Sequence, residues 1–178
     1  MKKLYVFFAL IFVFASIIVL AQEAPENFLI KKEKNIDGKT DLYYLDSSRK
    51  EHYPAPKDLK GQYIEPASME INSIEKLKQI ELKIFNPVEI KYLGTNICIA
   101  SFIVTTSGKI ISVSFVFTGW EPKVPVTKLQ EFASQIKESI TFKCSFSPES
   151  AQEGYMKLLV RVFQSLNPPK KVRSTIEN

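Results

Sequence analysis

The sequence predicts an α+β domain: a small antiparallel sheet of about three to four strands with two helices on one face, plus an irregular N-terminal extension. Three observations carry this. After a turn at Thr106-Ser107-Gly108-Lys109, the residues Ile111, Val113, Phe115 and Phe117 alternate with Ser112, Ser114, Val116 and Thr118, the period of a hairpin strand. Leu129, Phe132, Ala133, Ile136 and Ile140 recur at helical spacing as one apolar stripe. Met156, Leu158, Val160 and Val162 line one side of a last strand whose other side carries Lys157 and Arg161.

The chain opens with Lys2 and Lys3, then an uncharged apolar run from Leu4 to Leu20, and polar character returns at Gln22. This is the charged, apolar, small-residue order of a secretory signal, with cleavage expected after Ala21, where Val19 and Ala21 supply the small side chains. An uncleaved anchor is the competing reading, because a helix of that length reaches roughly 25 Å against a hydrocarbon core of about 30 Å. No cysteine stands near the cut, so lipid acylation there is not expected. Both readings make the protein periplasmic or secreted, with membrane contact only if the segment is retained.

Residues 22–70 read as an irregular extension, with turn signals at Asp37-Gly38, Pro54, Pro56, Lys60-Gly61 and Pro66 and one short strand near Leu42–Leu45. Tyr43, Tyr44, Tyr53 and Tyr63 fit either a binding surface or loop anchors. From Asn72 the periodicity sharpens. Asn72-x-x-Glu75 suits a capping box for a helix starting at Ser73, and Asn86-Pro87 breaks that helix. Ile97–Thr105 is a buried strand, and the hairpin follows. After a loop carrying Trp120, Thr127-x-x-Gln130 suits a second capping box. Thr141–Phe146 and Tyr155–Phe163 then read as a second hairpin. The expected division is 1–21 signal, 22–70 extension, 71–166 α+β domain and 167–178 a disordered basic tail with Lys170, Lys171 and Arg173 beyond Pro168-Pro169.

The stretch Val88–Leu166, with its apolar strand, Ser107-Gly108-Lys109 turn, alternating strand, helix and a Phe142 to Pro148 segment before the last strand, resembles the C-terminal domain of TonB-type energy transducers. The resemblance implies a sheet of about three strands with helices on one face, and recognition of a partner peptide at an exposed strand edge. The sequence lacks a long proline-rich, alternately charged spacer, so the resemblance points to a TonB-like adaptor and not to a full transducer.

Charge adds little to this. Lysine and arginine number 24 against 19 acids, and without Lys2 and Lys3 the excess falls to three. Basic and acidic residues interleave, as in Lys31–Lys34, which reads as solvated surface and not as the gathered basic face that nucleic acid requires. Chemistry is also thinly represented. His52 is the one histidine and falls in a proline-rich segment, there is no Gly-x-Ser-x-Gly elbow, and the glycines form no phosphate-cradling run. Cys98 and Cys144 sit in apolar strand-like stretches, where a thiol is disfavoured as a thiolate; whether they pair is left open.

No catalytic, cofactor-binding or metal-ligating residue is therefore assigned, and no cofactor is expected. The leading expectation is an exported non-catalytic module of the cell envelope that binds a protein or peptide through a sheet edge. The alternative is a periplasmic small-molecule or lipid carrier with a cavity lined by Phe102, Phe115, Phe117, Phe132 and Phe163. A secreted carboxylate-dependent hydrolase ranks third.

Overall fold

The computed structural model describes residues 28–48, 52–146 and 154–163. The expected signal, Pro148 and the basic tail lie outside the described residues. In chain order the elements are β1 (Phe28–Lys34), β2 (Thr40–Asp46), β3 (Pro66–Ile71), α1 (Ile74–Ile84), α2 (Pro87–Gly94), β4 (Cys98–Thr105), β5 (Ile110–Phe117), α3 (Val126–Ser139), β6 (Phe142–Phe146) and β7 (Tyr155–Arg161). They form a five-stranded sheet in the order β1-β2-β5-β4-β7 and a two-stranded ribbon, β3-β6. Every neighbouring pair is antiparallel.

The α+β class with an antiparallel sheet holds, and several finer expectations need correcting. The sheet has five strands, because residues 22–70 contain the β1–β2 hairpin, whose second strand pairs with β5 through Leu42–Phe117 and Tyr44–Phe115. The extension is thus not irregular over that stretch. It also supplies β3, which pairs with β6, so β6 and β7 are not partners; β7 lies instead against β4. There are three described helices, not two. Asn86-Pro87 both ends α1 and starts α2, since Asn86 Oδ1 accepts from the Glu89 N–H at 2.9 Å while the Glu89 carboxylate accepts from the Asn86 N–H at 2.9 Å. Proline loses nothing as the first residue of a helix, where its missing N–H has no intrahelical partner.

Neither expected capping box forms. At α1 the cap is Ser73, whose Oγ accepts from the Lys76 N–H at 3.2 Å. Asn72 turns its amide to Thr141 Oγ1. At α3 the helix begins before Thr127, with Pro125 at the cap position and no side-chain cap bond.

One face of the sheet carries the core. Leu42 and Tyr44 from β2, Phe115 and Phe117 from β5, Ala100, Phe102 and Val104 from β4, and Leu158 and Val160 from β7 are all buried there. The helices lie over this face: the Phe132 ring of α3 stacks on Phe115, with centroids 5.6 Å apart. Phe85, at the end of α1, meets both Phe132 and Phe163 edge-on. Where β7 ends, Phe163 takes a left-handed φ of 61°, unusual for a bulky residue. Its N–H donates to the buried Glu81 carboxylate at 3.0 Å, which fixes the chain path there. Burial pushes the Glu81 carboxyl upward, partly offset by that hydrogen bond and by Lys78.

Gly108 ties the ribbon to the sheet. Its carbonyl accepts from the Phe142 N–H at 2.8 Å, and it holds φ at 85° in the β4–β5 turn. A side chain at 108 would run directly into the Phe142 carbonyl, so the position demands glycine on both counts.

Candidate functional site

A sheet of five open strands has two edges. At β7 the outward Tyr155 N–H donates to the Pro54 carbonyl at 2.9 Å, and the Tyr53 ring packs on Tyr155 with centroids 5.2 Å apart. The segment 53–56 therefore covers the start of that edge. At β1 no described residue bonds to the outward backbone.

The phase of the β1–β2 ladder determines which groups face outward. The Asn35 N–H donates to the Lys39 carbonyl at 2.9 Å, so 35 and 39 form a hydrogen-bonded pair. Antiparallel pairs alternate between bonded and non-bonded positions. With the register Lys34–Thr40, Glu33–Asp41, Lys32–Leu42, the N–H and C=O groups of Glu33, Lys31 and Leu29 turn toward β2. Those of Lys34, Lys32 and Ile30 turn away from the sheet.

The hairpin is built locally and then pinned. Its three-residue loop Ile36-Asp37-Gly38 carries glycine at φ 73°, the left-handed position of a bulged hairpin turn. Asn35 Oδ1 accepts from the N–H groups of Asp37 (3.1 Å) and Lys39 (3.0 Å). Asn35 Nδ2 donates to Asp41 Oδ1, which also accepts from the Gly119 N–H at 2.9 Å and so joins the hairpin to the loop after β5. At the other end of β1, Phe28 packs edge-on against Tyr44 and Phe115.

Between those anchors β1 buries almost nothing. Leu29 is 65% exposed and Ile30 47% exposed. Three lysines and Glu33 follow, of which Lys31 and Glu33 form an exposed ion pair on one face. The Glu33 hydrogen bond, and then its charge, hold the Lys31 ammonium above its usual pKa. The strand thus divides along its length into an apolar half, Leu29-Ile30, and a basic half, Lys31-Lys32-Glu33-Lys34.

On the helix side of this edge lies an open groove of about 250 Å³, lined by Lys32, Lys39, Thr40, Leu42, Gly119, Trp120 and Glu121. Its wall is firmly held. Trp120 Nε1 donates to the Ile97 carbonyl at 3.0 Å, its ring meets Phe117 and Tyr92 edge-on, and the Tyr92 hydroxyl donates to the Glu121 carbonyl. The Lys39 stem runs so close over Gly119 that a Cβ there would lie 3.1 Å from Lys39 Cδ. Lys32 Nζ reaches Glu121 Oε1 at 3.4 Å, an exposed pair of the kind that contributes little.

The residues singled out from sequence fall elsewhere. His52 is exposed in the segment before β3. Both cysteines are free thiols: Cys98 is buried in β4 and Cys144 half-buried in β6, and burial raises the pKa of each, so neither is poised as a thiolate. The five phenylalanines considered as a cavity lining are all buried: Phe132 packs on Phe115 and Phe163, Phe102 meets Phe142, and Phe117 meets Tyr44 and Trp120. Among the described residues no three His, Cys, Asp or Glu side chains converge as metal ligands, and no helix is long and apolar enough to cross a membrane. The sequence does not mark Leu29, Ile30, Lys32 and Lys39, because Lys31–Lys34 reads as ordinary solvated surface. The Asp37-Gly38 turn was the available signal that a strand lay on either side.

The fold and edge together describe a two-layer α+β domain in which no described residue covers the β1 edge of the five-stranded sheet. No family model matches the chain, and no curated protein does. Among solved structures it is similar to a DUF5043 family protein from Bacteroides uniformis ATCC 8492, at 16% identity and a TM-score of 0.49, over 88% of this chain and 100% of that one.

Proposed function

We propose that this protein is an exported, non-catalytic interaction module of the cell envelope that binds an extended segment of a partner protein by adding it as a sixth strand beside β1. The observation that carries the reading is the row of outward backbone groups at Ile30, Lys32 and Lys34, which no described residue occupies. An open edge of this kind supplies main-chain hydrogen bonds for affinity, and the adjoining groove supplies side-chain selectivity. The reading agrees with the edge recognition that the TonB resemblance implies, although the edge is in the N-terminal hairpin and not in the stretch that carries the resemblance.

Proline at position 30 tests it. An edge strand accepts proline where its N–H faces solvent, so Ile30→Pro leaves the β1–β2 ladder intact while deleting one donor from the outer row. Binding of seven-residue β-prone peptides to the full chain, measured by fluorescence polarisation, is expected to weaken about tenfold, the effect of roughly one lost backbone bond and its clash. Unchanged affinity in a variant with native circular dichroism would rule out the β1 edge.

A further inference from the structure

The division of β1 along its length says what kind of strand it selects. We infer that the partner segment is an acidic-apolar peptide that lies antiparallel to β1, with carboxylates opposite Lys34 and Lys32 and apolar side chains opposite Ile30 and Leu29. This rests on the edge reading above and adds the chemistry of the partner to it.

The register follows from side-chain alternation. Ile30, Lys32 and Lys34 share the face of Leu42 and Tyr44, the groove side, and Leu29, Lys31 and Glu33 share the opposite face. On the groove side, a strand added beside β1 therefore meets an apolar position and then two ammonium groups. Lys32 has only the loose Glu121 pair, Lys34 Nζ only the Gly38 carbonyl at 3.3 Å, and Lys39 flanks the groove with its stem on Gly119. On the opposite face Leu29 offers a second apolar contact, while Lys31 is already engaged by Glu33. Antiparallel pairing is the more stable arrangement per residue, which sets the direction as acids first and apolar residues after.

The same lysines disfavour the obvious competitor. A second copy of β1 laid antiparallel over the full length of this edge sets Lys31 opposite Lys31 and leaves Lys32 and Lys34 opposite Ile30 and Phe28 with no carboxylate partner, and like charges directly opposite one another destabilise a strand pair. Lysines on an edge are a general means of preventing self-association. Here they also leave the edge complementary to an acidic strand.

The test uses the full chain and two synthetic peptides, Glu-Lys-Glu-Thr-Val-Val-Thr, matched to the register, and Lys-Glu-Lys-Thr-Val-Val-Thr, with the charges exchanged. The matched peptide is expected to bind at least about tenfold more tightly, since three cross-strand pairs, opposite Lys34, Glu33 and Lys32, change from attractive to repulsive. The preference should shrink at about 1 M salt, where the screening length is roughly 3 Å. In the double variant Lys32→Glu with Lys34→Glu the preference should invert. Equal binding of both peptides, with both weakened by Ile30→Pro, would overturn the acidic-partner inference and leave the edge reading standing. Binding indifferent to Ile30→Pro, or no binding of either peptide, would overturn both.

Discussion

Replacing Phe132 with alanine is expected to remove about 4 kcal/mol of folding stability, near the middle of the range for a fully buried phenylalanine. The ring is fully buried at the junction of three elements. It stacks on Phe115 of β5 with an interplanar angle of 12°, meets Phe85 edge-on at 5.5 Å, and lies 5.3 Å from Phe163 at the end of β7. Phe85 and Phe163 also hold each other edge-on at 5.1 Å, so the space does not close by a single rotamer change, and the loss includes a cavity as well as lost transfer energy. In a chain of this size the thermal midpoint should fall by about 10 °C. Phe132→Leu should cost far less, because it keeps most of the volume. A loss below about 1 kcal/mol for the alanine variant would mean that the aromatic cluster does not join helix to sheet as described.

The second large effect concerns Asp46, a carboxylate only 2% exposed at the end of β2. It accepts from the Ser48 hydroxyl (2.6 Å), the Ser48 N–H (2.8 Å) and the Val113 N–H (3.1 Å), and Lys137 Nζ approaches to 3.5 Å. Asp46→Ala leaves the buried Val113 N–H without its acceptor and removes the charged hydrogen bonds from the exposed Ser48, and is expected to cost about 3 kcal/mol. Burial alone pushes this carboxyl upward. The Ser48 bonds, the Val113 N–H and the Lys137 charge together outweigh it and hold the group below its usual value of 3.8. Because the folded-state pKa lies below the unfolded one, the stabilisation is fully present above pH 3.8 and is lost as pH falls through the folded value. Urea midpoints of the wild type should therefore decline as the pH falls below 3.8, and Asp46→Asn should flatten that decline. An equal slope in the two proteins would contradict the assignment.

α3 and β7 are readable in the sequence because each buries one face and exposes the other. The β4–β5 hairpin is readable from its contiguous apolar strand, glycine turn and alternating strand, although both of its strands are buried on both faces. β1 was unreadable for the opposite reason. As an edge strand it buries neither face, so FLIKKEK shows no alternation, and only its pairing with β2 makes it a strand. In β2 the buried set Leu42, Tyr44, Asp46 is interleaved with apolar Tyr43 and Leu45, and a buried aspartate breaks the pattern further. α2 is absent from the sequence reading because Asn86-Pro87 reads there as a stop signal alone, when the same dipeptide with Glu89 opens the helix. The ribbon was missed because strand pairing across the long interval between β3 and β6 leaves no local trace. The candidate site was hidden for the same reason as β1: its defining property is unused backbone, which no side-chain pattern reports.

Residue-resolved amide hydrogen exchange tests the central claim most directly, comparing the full chain alone with the chain saturated by whichever seven-residue peptide binds it most tightly. Strand addition at β1 predicts new protection at the amides of Ile30, Lys32 and Lys34 and little change at Leu29, Lys31 and Glu33, which already bond to β2. Protection that appears along β7 instead, or that rises in β1 without this alternation, would contradict it.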